Sequence, residues 1–276
     1  MDLCLVGYTY RNYPMEEAFR RASLFGYSLI EVRDFIDINL KTLEGIEDAL
    51  KKALKMAEKY RVSPLIIFRA INIQRLSSTD EASFLEETET ICKLCRNYGV
   101  KIWNTRINLI DGPKNFTEAD KSHIDIVIKL LKKIASIIDK YNLTITIENH
   151  MGNIHDSLKG LIHILSAIES DRIKACFDFA NFLIVNPSED LIKAITSHSE
   201  FIGYTHIKNV KLYKDRYDWG IPIALGDIDY RRILGKLLEK YTGALGIEYC
   251  GTGDPVYFSE IDARYIRDII NEIERR

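Results

Sequence analysis

Short apolar runs alternate with longer amphipathic stretches along the whole chain. Runs of four to six residues, such as Leu3–Val6, indicate strands that are covered on both faces. Longer stretches repeat apolar residues every three or four positions, as between Leu43 and Tyr60, and predict helices. The predicted strands cover residues 3–6, 28–33, 64–68, 100–105, 144–148, 173–178, 201–206 and 244–248. A helix is expected after each strand, near residues 14, 43–60, 80–97, 117–141, 158–168, 189–197, 230–241 and 261–273.

Eight strand and helix pairs in strict alternation predict an α/β protein of the (β/α)8 TIM barrel class. A doubly wound open sheet is the alternative, because the pattern alone does not show that the sheet closes. No Pro/Ser/Gly-rich linker, low-complexity segment or longer repeat interrupts the alternation. We therefore expect one domain over residues 1–276.

Composition narrows the class of protein. The chain is 46% hydrophobic and 28% charged, with a formal net charge of −2, so no basic field attracts nucleic acid or an anionic membrane. No segment approaches the roughly 18 continuous apolar residues of a membrane span, and a cytoplasmic protein is expected. Cys92 and Cys95 form a CxxC inside a predicted helix without a second pair, which favours packed thiols over a redox or zinc site.

Candidate chemistry lies where four consecutive strands end. The fifth to eighth predicted strands end in Glu148, Asp178, His206 and Glu248, at intervals of 30, 28 and 42 residues. Each interval is about one strand plus one helix. In a parallel barrel all strands open at their carboxyl ends onto one face, so the four side chains are expected to meet there.

Strand alternation supports this arrangement. If Glu148 points inward, Thr146 does too, while Ile147 faces the helices. If Glu248 points inward, Gly246 also lies inside. Small or polar groups then fill the interior and bulky apolar groups pack against the helices.

Three carboxylates and one imidazole suit one divalent metal ion, namely Mn²⁺, Mg²⁺ or Co²⁺, and Zn²⁺ is also compatible. Without a cation, three converging carboxylates would repel one another. Four protein ligands leave two places on a six-coordinate ion for a substrate carbonyl and its neighbouring hydroxyl. The alternative is that each residue is a polar group that fixes its loop.

Further polar residues are placed at the same face. His150 and Lys208 each lie two positions beyond a metal-ligand candidate, and both are candidates for binding substrate oxygens; His150 is equally suited to bonding a loop carbonyl. Arg33, Arg69 and Arg106 follow the second, third and fourth strands, across the mouth. They suit a phosphate or carboxylate of the substrate, or else they neutralise nearby carboxylates.

At these residues the sequence resembles the xylose isomerase-like barrel superfamily, in particular its sugar phosphate isomerase/epimerase branch. The resemblance is specific at IENH (147–150), FDFAN (177–181), THIKN (205–209), GDID (226–229) and IEY (247–249). It implies that Glu148, Asp178, His206 and Glu248 bind the metal and that the two glutamates are the acid/base pair. It also implies substrate contact at Asn181, where many members carry His. Dimers or tetramers are common in similar proteins.

These expectations favour a metal-dependent sugar or sugar-phosphate isomerase or epimerase. Such an enzyme removes a proton next to a carbonyl and passes through a metal-stabilised enediolate, with Glu148 and Glu248 as base and acid. A metal-dependent hydrolase or lyase, including cleavage of phosphodiesters as in endonuclease IV, is the alternative. Endonuclease IV needs several extra histidines, whereas only His150 and His155 are spare near this site. A binding protein without catalytic activity is the third class.

Overall fold

The core of the protein is a barrel of eight strands, seen in a computed structural model that describes residues 1–73 and 78–275. The strands are β1 (Leu3–Val6), β2 (Leu29–Val32), β3 (Ser63–Phe68), β4 (Ile102–Thr105), β5 (Thr144–Glu148), β6 (Ile173–Asp178), β7 (Ile202–Ile207) and β8 (Leu245–Ile247). The helices are α1 (Met15–Leu24), α2 (Leu43–Tyr60), α3 (Ser78–Asn97), α4 (Lys121–Ile138), α5 (Leu158–Ile168), α6 (Phe179–Val185), α7 (Leu191–Ser197), α8 (Tyr230–Leu237) and α9 (Pro255–Glu274).

All eight strands are parallel, and the sheet closes. Each strand pairs with its neighbours in sequence, and β1 pairs with β8 through Leu3 opposite Leu245 and Leu5 opposite Ile247. The predicted (β/α)8 TIM barrel is therefore confirmed, and the open doubly wound sheet is wrong. Because the barrel is single and closed, all strand ends share one mouth.

The interior and the exterior of the barrel carry different side chains, as the alternation predicted. Ile145 and Ile147 of β5 pack outward into the large core between strands and helices. Thr146 points the other way, and its hydroxyl donates to Oδ1 of Asn104 on β4 at 3.0 Å. A separate apolar cluster fills the barrel itself: Cys4, Leu29, Ile66, Cys176, Tyr204 and Ala244. This packed apolar layer fills the barrel below the end at which the strands terminate.

The packing of this apolar layer requires glycine at position 246. A Cβ added to Gly246 would lie 2.4 Å from the hydroxyl oxygen of Tyr204 and 2.6 Å from the carbonyl oxygen of Thr205. The Tyr204 ring packs edge-on against His206, at 5.2 Å between ring centroids. A larger residue at position 246 would displace Tyr204 and, with it, the support of His206.

Several helix boundaries differ from prediction. α6 follows β6 directly and was not predicted, because its apolar run FANFLIV has no polar face. α4 begins at Lys121 rather than near Thr117, since Asp120 caps it by accepting from the His123 backbone N–H. α9 begins at Pro255, before the predicted Ile261, with Asp254 as its cap.

Short strands extend some of the loops at the mouth. Ile71–Ile73 pairs in parallel with Ile107–Leu109, and Lys211–Leu212 pairs in antiparallel fashion with Tyr217–Asp218. Asn209 fixes the segment after β7, since its amide donates to the carbonyls of Ile223 at 2.7 Å and Ile228 at 3.0 Å. Within the described ranges, no helix has the length and apolar character needed to cross a membrane.

Asp262 of α9 also holds this segment and makes stability depend on pH. Its carboxylate is 2% exposed and accepts from the Ile223 backbone N–H at 2.8 Å. Burial raises the pKa of Asp262 from 3.8 to about 7, although that hydrogen bond acts in the opposite direction. Because the folded pKa is the higher one, the stability from this group is present below pH 3.8 and lost as pH rises to 7.

We expect Asp262→Asn to remove this loss, since the amide keeps an acceptor for Ile223 and carries no charge. From pH 4 to pH 8, the free energy of unfolding of the variant should rise relative to wild type by about 4 kcal/mol. Urea unfolding of both proteins at both pH values measures the difference. The contributions of other titrating groups cancel, because they are the same in the variant and the wild type. A difference independent of pH would show that Asp262 is already ionised at low pH.

Candidate metal centre

Four side chains from neighbouring strands converge at the mouth of the barrel. Glu148 ends β5, Asp178 ends β6, His206 lies on β7, and Glu248 follows β8. One ligand atom from each lies within 4.8 Å of the others, and all four residues are buried. Opposite ligands of an octahedral Mg²⁺ are about 4 Å apart, so the cluster has the dimensions that one ion requires.

The chemistry of the cluster fits a divalent cation. Nδ1 of His206 is buried without a hydrogen-bond partner among the described residues and lies 3.5 Å from Oε1 of Glu148. Glu31 brings a fourth buried carboxylate to the same interior. Only two buried permanent cations, Arg33 and Lys208, face these four carboxylates across the part of the chain that the structure describes. Without an ion, His206 adds a positive charge, since its pKa is raised well above the usual range although burial opposes the charge. Once His206 has lost that proton to bind a metal, a divalent ion would neutralise the excess of two negative charges.

The ionisation states of the carboxylates also favour a cation. Burial raises the pKa of Asp178 to about 6, against the charge of Lys208. Burial likewise opposes the charge of Glu248, but Lys208 and His206 outweigh it and lower this pKa to about 2. Although burial acts in the opposite direction, His206 holds the pKa of Glu148 well below its usual range. At neutral pH the carboxylates are therefore mainly ionised.

Lys208 joins two of the carboxylates. Its Nζ lies 2.8 Å from Oδ2 of Asp178 and 3.0 Å from Oε2 of Glu248, and its pKa stays well above the usual range although burial opposes the charge. Nζ also lies 5.1 Å from the centroid of the Trp219 ring. The predicted substrate ligand Lys208 is thus at the site, as a cation shared with two metal-ligand candidates.

Two asparagines fix the ends of β5 and β6. Asn149 accepts from the Asp178 backbone N–H at 2.7 Å and donates to the Asp178 carbonyl at 2.9 Å. Asn181 donates from Nδ2 to the Asn149 carbonyl at 3.0 Å and to Oε1 of Glu148 at 3.4 Å. Its backbone N–H bonds Oδ1 of Asp178, which caps α6. Asn149 and Asn181 therefore hold two ligand candidates at fixed positions.

A cavity of about 260 Å³ opens from the cluster. Its lining residues are Tyr8, Arg33, Arg106, Glu148, His150, Met151, Asn181, Lys208, Trp219, Glu248 and Cys250. Sequence reasoning did not assign Trp219 or Cys250 to the site. Cys250 follows Glu248 by two positions and was open to the same alternation argument, whereas Trp219 comes from the irregular segment after β7 and gives no local signal.

His150 and Arg106 contact each other at the rim. Nη1 of Arg106 lies 2.8 Å from Nε2 of His150, and Nδ1 of His150 lies 2.7 Å from the Met151 carbonyl. Because Arg106 is only a donor, Nε2 accepts and Nδ1 carries the proton. Both ring nitrogens are engaged, which matches the loop-carbonyl alternative for His150. Direct contact of His150 with a substrate stays a prediction.

The structure does not bring the three predicted arginines together around one anion. Nη1 of Arg33 lies 3.3 Å from Glu31 and 3.7 Å from Glu248, so its charge already faces carboxylates. Arg69 does not line the cavity, and its guanidinium bonds Glu87 of α3 at 2.5 Å. Arg106 remains as the member of the set that lines the cavity without a carboxylate partner among the described residues.

Comparisons with known proteins agree with this architecture. The sequence model of the xylose isomerase-like TIM barrel family matches residues 19–269. A D-allulose 3-epimerase from Methylomonas sp. is similar in structure, with a TM-score of 0.77 at 12% identity over 98% of each chain. The probable 3-DHS dehydratase AsbF from Bacillus anthracis gives 0.76 at 13% identity, over 97% of this chain and 99% of that one.

A third similar structure is the IOLI protein with a bound zinc atom, with a TM-score of 0.74 at 17% identity over 99% of this chain and 98% of that one. No curated protein matches the sequence. Fold and cluster together define a (β/α)8 barrel with a buried carboxylate and imidazole group that could hold a metal ion. The chain belongs to the xylose isomerase-like TIM barrel family.

Proposed function

We propose that the chain is a divalent-metal-dependent sugar isomerase or epimerase that removes a proton from the carbon next to a carbonyl. The observation that carries the proposal is the placement of Glu148 and Glu248 in one metal-ligand cluster that opens onto a small cavity. Sugar epimerases are among the proteins of similar structure. An ion held by the four residues would polarise the carbonyl and neutralise the charge that develops beside it.

The two glutamates are suited to moving the proton. Both side chains line the cavity and are ionised at neutral pH, so each presents carboxylate oxygens to a bound molecule. Their lowered pKa values make them weak bases until a substrate and an ion change their surroundings. For isomerisation, the carboxyl that has taken the proton returns it to the neighbouring carbon on the same face of the substrate. For epimerisation, the other glutamate, protonated from solvent, delivers a proton to the opposite face, and the first carboxyl releases the proton it took to solvent.

The rest of the cavity suits a small polyhydroxylated molecule. A volume of about 260 Å³ is below the range of drug-sized ligand pockets. Oδ1 of Asn181 is buried without a hydrogen-bond partner within the described ranges and is available to accept from a substrate hydroxyl. Tyr8 and Trp219 supply aromatic surfaces for the apolar face of a sugar ring.

Arg106 is the residue that we propose for an anionic or strongly polar end of the substrate. Its guanidinium lines the cavity, and its Nε is buried without a partner among the described residues. Arg106→Ala is expected to raise KM about tenfold or more while kcat changes little, because a charge-assisted bond contributes about 1.5 kcal/mol or more. Steady-state kinetics on the substrate found by the exchange experiment below measures both constants.

Arg69→Ala is the matched control, since it removes the same group from a position that faces Glu87. Its KM should stay within about twofold of wild type. Equal rises of KM in both variants would show that the two arginines act by stabilising the fold. A rise of KM in Arg69→Ala alone would show that Arg69, and not Arg106, binds the substrate.

The proposed reaction is tested by proton exchange. The protein is incubated in deuterated water with Mn²⁺ and a panel of ketoses and ketose phosphates, and deuterium at the carbon next to the carbonyl is followed by NMR. Exchange with the appearance of an isomer or epimer is the expected result. No exchange into any member of a broad panel, by protein shown to bind the ion, would contradict the proposal.

A metal-dependent lyase is the second candidate. Loss of water next to a carbonyl begins with the same proton removal, and a probable dehydratase is among the similar structures. Loss of water in the exchange experiment, detected as an unsaturated product, would favour it. Phosphodiester cleavage has less support, because the described residues form one four-ligand cluster, and His155 bonds the Ile107 backbone at 3.0 Å instead of joining it.

A further inference from the structure

Glu31 lies behind His206, on the side away from the ligand cluster. Its carboxylate is fully buried at the end of β2, and Oε2 lies 3.0 Å from Nε2 of His206. The other ring nitrogen, Nδ1, faces Glu148 at 3.5 Å. Nε2 of the imidazole therefore faces a carboxylate outside the cluster, and Nδ1 faces the cluster itself.

Neighbouring polar groups determine which nitrogen carries the proton. Thr146 donates to Oδ1 of Asn104 at 3.0 Å, so Nδ2 of Asn104 is turned toward Glu31 and His206, at 3.3 and 3.2 Å. An amide N–H only donates, so Glu31 is the acceptor that a proton on Nε2 can use. The neutral ring then has its lone pair on Nδ1, where the other ligand candidates converge.

Glu31 is itself held at both oxygens. Oε1 faces Nη1 of Arg33 at 3.3 Å, while Oε2 takes the bonds from His206 and Asn104. The Arg33 guanidinium lies over the Phe68 ring, with 3.6 Å between its central carbon and the ring centroid. Because these contacts fix the carboxylate, they also fix the plane of the imidazole that it binds.

We propose that Glu31 is a positioning residue of the metal centre: it accepts the Nε2 proton of His206 and thereby presents Nδ1 as the metal-binding atom. This inference rests on the proposed metal centre. A carboxylate behind a ligating histidine sets the tautomer and the ring orientation and makes the ligand more basic. Glu31 is not among the residues that line the cavity, whereas Arg33, which contacts it, is.

The test is the affinity of the folded protein for Mn²⁺, measured by titration calorimetry without any substrate. Glu31→Gln is expected to weaken binding ten- to a hundredfold, because loss of such a supporting carboxylate typically has that effect. Glu87→Gln is the matched control, since Glu87 also bonds an arginine but lies outside the cavity. Wild-type affinity in folded Glu31→Gln would overturn the proposal.

A second measurement needs no variant and applies even if Glu31→Gln does not fold. In Zn²⁺-loaded wild-type protein, long-range ¹H–¹⁵N NMR should show a proton on Nε2 of His206 and none on Nδ1. A proton on Nδ1, or failure of the wild type to bind any divalent ion, would overturn the proposal. If the wild type catalyses exchange and Glu31→Gln binds Mn²⁺ as tightly as the wild type, this inference alone is wrong. If the wild type binds the metal but catalyses no proton exchange, only the proposed reaction is wrong.

Discussion

Glu248→Gln is expected to lower the rate of substrate deuterium exchange by about a thousandfold or more while the protein stays folded, because an amide cannot take up a proton from carbon. The side chain keeps its size and one oxygen, so the packing at the end of β8 should persist. Exchange into the substrate identified for the wild type, with excess Mn²⁺, measures the effect. Circular dichroism and the melting temperature report the fold.

Metal content has to be measured on the same Glu248→Gln sample, since Glu248 is also a ligand candidate. Glu239→Gln provides the control, because it makes the same chemical change at an exposed glutamate that pairs with Lys236. Exchange within about threefold of wild type in metal-loaded Glu248→Gln would reject its role as acid or base.

Removal of divalent metal is expected to abolish exchange and to lower thermal stability. An ion that binds only the folded chain adds about 2.7 kcal/mol at a concentration 100-fold above its dissociation constant. For a chain of this size, that corresponds to a rise in melting temperature of about 5–10 °C over the chelated protein. Thermal unfolding with chelator and with each of Mn²⁺, Mg²⁺, Co²⁺ and Zn²⁺ measures it.

Asp178→Asn is the variant that tests where the ion binds. Asparagine keeps the acceptor that caps α6 but removes one charge from the cluster, so most of the metal-dependent rise should disappear. Readdition of Mn²⁺ to chelated wild type should restore exchange. If none of the four ions shifts the melting temperature of the wild type, the cluster is a network of ion pairs and not a metal centre.

The fold was accessible from sequence because its periodic signals are strong and local. The bounds of β5, β6, α2 and α5 agree with prediction, since each is a clear apolar pattern closed by polar or capping residues. The meeting of the four strand-end residues followed from barrel topology alone, because neighbouring parallel strands end on one face. Their metal-binding and catalytic roles stay predictions.

The ion-pair partners of the charged residues could not be predicted from the sequence in this way. Arg33 and Arg69 follow neighbouring strands in similar positions, yet one turns in toward Glu31 and the other out toward Glu87 of α3. Long side chains reach several partners from one backbone position, so strand order does not fix their direction. The contact of Glu31 with His206 was not predicted, because it joins strands far apart in the chain.

The direct passage from β6 into α6 limits where the rim of the cavity is able to change. Asp178 ends the strand, contributes to the cluster and caps the helix, so no spare backbone exists on that side of the rim. An insertion there would displace Asp178 from the four-residue cluster. The neighbouring segment between β7 and α8 is longer and contributes Trp219 to the cavity, so changes in the shape of the cavity are expected there rather than at the junction of β6 and α6.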